Sequence, residues 1–191
     1  MMLVLASASP RRKELLTQAG YRFEVVHANI PEERRPDEDP LAFVSRLAQE
    51  KALAVFDRLR LARPVDSPLV LGADTIVVAG EEVLGKPIDA SDAARMLRLL
   101  SGRRHQVVTG ICLISKKGAQ AAAETTSVTM REISEKEIAD YIATGEPMDK
   151  AGAYAIQGYA GRWIPRIEGC YFNVVGLPLA KAATMIDVLT I

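Results

Sequence analysis

The chain has 191 residues, 49% hydrophobic and only 5% aromatic, so it can bury a sizeable core made mostly of Leu, Val, Ile and Ala. Lys plus Arg and Asp plus Glu each number 24, and zero net charge argues against a protein that coats nucleic acid. Two cysteines, Cys112 and Cys170, and two histidines, His27 and His105, show no zinc-ligand spacing; the thiols read as free in a reducing compartment. The first six residues are apolar and the next are strongly basic, the wrong order and length for a secretory signal. No apolar run is long enough to cross a bilayer, so the expectation is a soluble, cytoplasmic protein.

In chain order, residues 2–6 predict a buried strand. Ser9 is placed to cap a helix that starts with Pro10 and stops near Gly20. YRFEVVHA (21–28) alternates weakly and predicts a second strand. A polar loop follows. Asp39 then caps a long helix from Pro40 to about Leu59, and ARPVDSP (62–68) reads as a linker. LVLGADTIVVAG (69–80) is apolar on both faces and predicts a central strand, with a turn-rich return in EEVLGKPID.

The helix SDAARMLRLL (91–100) closes at Gly102. Two strands around KKG predict a β-hairpin, and Ser134 with Glu137 predicts a capping box for a helix over 135–143. YAIQG (154–158) and RWIPRI (162–167) read as short strands, and a last helix begins near Pro178. Strands alternating with helices, with one inserted hairpin, define an α/β fold with a mixed, largely covered sheet. Seams between two lobes are expected near 60–68 and 145–152.

Several charges fall where helices and strands disfavour them. Arg11, Arg12 and Lys13 crowd the first turn of the first helix, where the dipole repels cations. Exposed amides at that helix start, the hydroxyls of Ser7 and Ser9, and the two arginines together suit a phosphate. The site also lies where a strand ends and a helix begins, the ligand edge of an α/β sheet.

Lys51 falls on the apolar stripe of the long helix, where a lysine either snorkels past the core edge or reaches a buried anion. Asp74 lies inside the central strand, where a carboxylate needs a partner, and Gly72 before it permits a close approach to the backbone. Lys86 in GKP, Lys150, and Gln157 at the end of YAIQG are weaker candidates. Together the cations and the acids Glu32 and Asp74 suit a polyphosphate with a divalent cation; oxygen ligands without a Cys or His cluster favour Mg²⁺ or Mn²⁺. No GxxxxGK[ST] occurs and no GxGxxG follows a strand, which argues against a kinase or an ordinary ATPase.

Seven segments in order, LASASPRRKELL, RLAQEKA, LGADTIVV, GKP, LSGRRHQVVTG, EPMDKAGAYAIQG and VVGLPL, resemble the Maf family of nucleoside triphosphate pyrophosphatases. The resemblance runs from Leu3 through the final helix. It implies a single Maf-like domain over residues 1–191, with an elongated mixed sheet, two lobes and a central cleft, related to the inosine triphosphate pyrophosphatases. It also implies hydrolysis of a nucleoside triphosphate to the monophosphate and pyrophosphate with a divalent metal.

Carried over by motif, Asp74 is the proton acceptor and a metal ligand, with Glu32 as the second ligand. Glu33 is the neighbouring acid in a segment, IPEE, that departs from the commoner DE pattern. Ser7, Arg11 and Arg12 face the phosphates, and Lys51 and Lys86 add charge. Ala73-Asp74-Thr75 and Ile156-Gln157-Gly158 are similar to the branch that prefers dTTP and UTP, in which Arg11, Thr75 and Gln157 match the specificity positions.

A homodimer and a role in cleaning the nucleotide pool are further implications. The competing expectations are a 7-methyl-GTP or modified-nucleotide pyrophosphatase, a nucleotidyltransferase, and a non-catalytic nucleotide-binding regulator of cell division. No nucleic-acid or membrane partner is expected.

Overall fold

A computed structural model describes residues 2–62 and 68–190. Strand β1 (Met2–Ala6) leads to helix α1 (Pro10–Gln18), strand β2 (Phe23–Val25) and the long helix α2 (Pro40–Ala62). Strands β3 (Pro68–Ala79) and β4 (Glu82–Leu84) precede helix α3 (Ala90–Leu100). The hairpin strands β5 (Arg104–Ser115) and β6 (Gly118–Thr129) precede α4 (Glu135–Ala143), three short 3-10 turns, β7 (Arg166–Glu168), α5 (Tyr171–Val175) and α6 (Leu179–Thr190).

The sheet is mixed and seven-stranded, in the order β2-β1-β3-β5-β6-β7, with β4 paired antiparallel to β3. β1 runs parallel to both β2 and β3, and β7 runs antiparallel to β6. This is the α/β class expected. Among the described residues no helix is long and apolar enough to cross a membrane.

The caps work as their sequences demand. Ser9 accepts a hydrogen bond from the Arg12 amide, and Asp39 Oδ1 accepts from the amides of Leu41 and Ala42. Ser134 and Glu137 close a full capping box. Three readings need correction. The second strand is only Phe23–Val25, shorter than 21–28. YAIQG forms a turn rather than a strand, and RWIPRI contributes only its end to β7, because its first residues close a 3-10 turn over Tyr159–Trp163. Five residues are too few to tell a turn with apolar anchors from a buried strand.

The chain forms two compact units. One comprises the residues up to Asp74, Thr109–Glu124 and the segment from Gly176 on; the other comprises Thr75–Val108 and Thr125–Val175. The divisions therefore fall inside β3, β5 and β6 and just after α5, not at the expected seam near 145–152. The other expected seam lies mostly outside the described residues. Polar connections predict seams in loops, whereas both units draw on the same long strands.

In the second unit, Trp163 and Tyr141 are fully buried in a core with Leu97, Leu100, Val107 and Ile138, and Tyr141 stacks on Tyr159. In the first unit, α2 buries Ala48, Ala52, Val55 and Phe56 against Val4 and Ala6 of β1, Val70 of β3 and Cys112 and Ile114 of β5. Residues two apart on a strand share a face, so Val70, Gly72 and Asp74 all point toward α2.

Gly72 is what lets α2 come close. A Cβ there would lie 2.1 Å from the Ala48 carbonyl oxygen and 2.8 Å from the Ala52 nitrogen. The close approach expected at this glycine is thus made by a helix of the fold. Both obstacles are backbone, so Gly72→Ala is expected to destabilise by about 3 kcal/mol or more, read as a lower midpoint in urea unfolding.

Candidate active site

Strand β1 ends its parallel ladder where Ala6 pairs with Gly72. The chain then leaves the sheet through Ser7, Ala8 and Ser9 to start α1. Asp74 lies two residues beyond Gly72 on the same face, past the last β1 partner. The carboxylate therefore emerges at the carboxyl end of β1, the edge at which α/β sheets bind ligands.

Ser7 is buried there. Its hydroxyl accepts from the Ser9 amide at 3.2 Å and from Arg12 Nη1 at 2.9 Å. Arg12 is also buried, and its Nε donates to the carbonyl of Gly176 at 2.8 Å. Gly176 has a φ of +124°, a conformation open to glycine, and this accounts for the glycine of VVGLPL. Burial lowers the Arg12 pKa below the ordinary arginine range. Asp74 raises it again, Arg11 lowers it and Glu32 raises it. Ser7, Arg11, Arg12, Glu32 and Asp74 thus belong to one electrostatic neighbourhood.

Lys51 completes it. The glycine contact brings α2 down onto β3 beside Asp74, and Lys51 lies one helical turn on from Leu47, at the depth of the core. Its ammonium is buried, 2.7 Å from Asp74 Oδ1 and 2.7 Å from Glu32 Oε1. Of the two possibilities for this lysine, the one that reaches a buried anion holds. Asp74 is itself only 7% exposed, so the pair is desolvated. Glu32, not Glu33, is the acid that reaches the site; Glu33 offers its carbonyl to Arg46 instead.

The remaining candidates lie in the second unit. Thr75 directly follows Asp74 in β3 and is half-buried. Lys86 is exposed in the bend after β4, and the Gly85 carbonyl accepts from the Gly152 amide at 3.0 Å, which ties GKP to AGAY. Gln157 is exposed in its turn, and the following Gly158 packs where a Cβ would lie 2.0 Å from Glu146 Oε1. Lys150 donates to the Glu146 carbonyl at 2.5 Å and pairs with Asp149 at 2.6 Å, so its charge is spent locally.

Two contributors were not singled out from sequence. His105, in LSGRRHQVVTG, is buried with Nε2 2.8 Å from the hydroxyl of Tyr154 in AGAY, so two of the matching segments meet in one hydrogen bond. The other is Arg46, whose contacts surround the Glu32 loop. Arg46 is met by carboxylates and a carbonyl, and His105 by a tyrosine hydroxyl, partners that lie far off in sequence or look solvated there.

Among the described residues no group of three or more His, Cys, Asp and Glu converges as a metal cage. Asp74 and Glu32 do converge on one ammonium, so a cation is already favoured at that point. Two hard carboxylates, with the remaining ligands from phosphate and water, fit Mg²⁺ or Mn²⁺. Three cations, Arg11, Arg12 and Lys51, against these two acids give the cluster an excess of positive charge, the property of a site for a polyphosphate.

An α/β sheet edge with this charge pattern defines a phosphate-handling protein. A family model described as "Maf-like protein" matches residues 2–189, and the chain belongs to this family. A relative from Koribacter versatilis named "dTTP/UTP pyrophosphatase" is 55% identical over 185 residues, covering 97% of this chain and 93% of its own. Relatives of the same name from Citrifermentans bemidjiense and Vibrio cholerae are 51% and 50% identical. The first covers 98% of this chain and 95% of its own; the second covers 93% and 92%.

Burial pushes the His105 pKa from the ordinary 6.5 down to about 4, partly opposed by the nearby backbone at Arg103. A depressed folded value means that the unfolded chain binds the proton more readily between those limits. The stabilisation is complete above pH 6.5 and is lost as pH falls toward 4. Wild-type protein should therefore lose on the order of 3 kcal/mol more than His105→Gln between pH 7 and pH 4, measured by urea titration at each pH.

Proposed function

We propose that this chain is a nucleoside triphosphate pyrophosphatase that hydrolyses dTTP and UTP to the monophosphate and pyrophosphate. The single observation that carries this activity is the buried Asp74 carboxylate, held by Lys51 among Ser7, Arg11 and Arg12. Relatives with that activity in their names, about half identical over nearly the whole chain, support it.

In this proposal the phosphates lie at the start of α1, against Ser7, Arg11 and Arg12. Lys51 and Lys86 offset further negative charge, with Lys86 assigned by the resemblance alone. Asp74 accepts the proton of the water that attacks the α-phosphorus. The bond from that phosphorus to the bridging oxygen breaks, and pyrophosphate leaves with its charge already matched by the cations. Positioning and electrostatics thus supply most of the acceleration.

Asp74 and Glu32 would hold Mg²⁺ or Mn²⁺, which when bound supplies charge neutralisation on the phosphate oxygens. Arg11, Thr75 and Gln157 are proposed to select the pyrimidine base. A homodimer and a cytoplasmic role in cleaning the nucleotide pool also rest on the resemblance.

Pyrophosphate release from dTTP, UTP, CTP and 7-methyl-GTP, with and without Mg²⁺, tests the proposal. The expected order has dTTP and UTP fastest and Mg²⁺ required. Preference for 7-methyl-GTP would overturn the substrate assignment, and no release from any nucleotide would overturn the activity. Asp74→Asn should keep its circular dichroism spectrum and lose about 10²-fold or more in turnover.

A further inference from the structure

Glu32 faces a difficulty that the buried residues around it do not. It stands on an irregular loop between β2 and α2, its side chain is 45% exposed, and yet its carboxylate must meet Lys51. A loop glutamate has enough rotamer and backbone freedom to leave. Something outside the site has to hold the loop.

Arg46 of α2 has the geometry for it. Its side chain is 17% exposed and that of Glu38 is 10% exposed, so this pair is sheltered, unlike most surface ion pairs. Nε lies 2.6 Å from Glu38 Oε1 and Nη2 2.8 Å from Glu38 Oε2, a bidentate fork. Nη2 also donates to the Glu33 carbonyl at 3.0 Å, and Nη1 reaches both Glu50 oxygens at 3.2 Å. One guanidinium therefore grips the loop at residue 33, next to Glu32, and again at residue 38.

The grip is braced from within. The Arg35 amide donates to Glu38 Oε2 at 3.1 Å, the Glu38 amide donates to the Arg35 carbonyl at 3.2 Å, and Arg34 Nε donates to the Glu38 carbonyl at 2.8 Å. Asp37, between them, takes a φ of +54°, the left-handed conformation that aspartate tolerates better than most residues and that closes the turn. The Arg46 hydrogen bond holds the Glu38 carboxyl at about 2, well below the usual carboxylate range.

We propose that Arg46 is a positioning residue, clasping the loop at Glu33 and Glu38 so that Glu32 is presented to Lys51 and to the cation that Asp74 and Glu32 would share. The assignment rests on the pyrophosphatase reading for its effect on turnover. The clasp itself rests on the contacts of Arg46 alone. Lysine could not replace it, since a point charge cannot take a carboxylate and a carbonyl in one plane.

The test uses Arg46→Gln, and Glu38→Gln as a second variant that opens the clasp from the loop side and leaves α2 unaltered. In each, the Mg²⁺ concentration for half-maximal dTTP hydrolysis should rise about tenfold or more, while the KM for dTTP stays within about twofold. Trypsin cleavage after Arg34, followed by mass spectrometry, should accelerate about tenfold as the loop loosens. Glu32→Gln should raise the Mg²⁺ requirement by itself, and adding Glu38→Gln to it should raise it no further.

Full additivity of those two changes would overturn the proposal, because Arg46 would then act on something other than Glu32. Unaltered trypsin cleavage and Mg²⁺ requirement in both single variants would also overturn it, as would a Glu32→Gln protein with the wild-type Mg²⁺ requirement. Wild-type protein without pyrophosphate release would instead overturn the proposed activity. Normal wild-type turnover with an unaltered Glu38→Gln variant would overturn the role of Arg46 alone.

Discussion

The site depends on one buried ion pair. Moving an ammonium and a carboxylate out of water costs several kcal/mol each, and their attraction offsets this only when the geometry is tight. Lys51 and Asp74 meet that condition at 2.7 Å, with Glu32 closing a third side at the same distance. Lys51 and Asp74 are acceptable in the interior only because each has the other. The carboxylate at the sheet edge is thereby matched in an apolar frame, and the lysine is kept off the surface. In the proposed reaction a triphosphate arriving there would meet charges already fixed in place, with little reorganisation left for the moment of reaction.

The crowding of Arg11, Arg12 and Lys13 at the start of α1 has a related resolution. Lys13 is exposed, while Arg12 turns back across the helix start to the Gly176 carbonyl and the Ser7 hydroxyl. Two neutral oxygens, supplied from the ends of the first unit's chain segments, hold a guanidinium that no acidic residue of the first turn could balance. VVGLPL, near the end of the chain, therefore serves LASASPRR, near its beginning. A glycine carbonyl is the right partner: it orients the guanidinium without cancelling its charge.

Much of this was legible in the sequence, and the pattern of success is physical. Asp74 and Lys51 stood out because each breaks an otherwise apolar pattern, and burial of charge demands a partner. The helix caps stood out because each needs one residue type at one position. The turn at Gln157 did not, since a short apolar stretch ending in glycine suits a strand or a turn equally. The division of the chain into units did not, because it runs through strands whose hydrophobic pattern continues across it. Arg46 did not, because an arginine in RLAQEK on a helix flank looks solvated; only the position of the Glu33 carbonyl and the Glu38 carboxylate reveals its task. His105 was invisible for the opposite reason, since a histidine buried against a tyrosine leaves no periodic trace.

Gly72 of β3 has a counterpart in Gly110 of β5, where a Cβ would lie 2.4 Å from the Val44 carbonyl oxygen. Val44, Ala48 and Ala52 form one ridge of α2, so the helix rests on bare backbone along two neighbouring strands. Its height above the sheet is then set by peptide groups, which cannot change rotamer, rather than by interlocking side chains, which can. Exchanges among the leucines and valines elsewhere in the core can be absorbed without raising or tilting this rod. The reach of the Lys51 amine is thereby insulated from drift in the hydrophobic interior, and the chemistry at the sheet edge can stay constant while the surrounding packing varies.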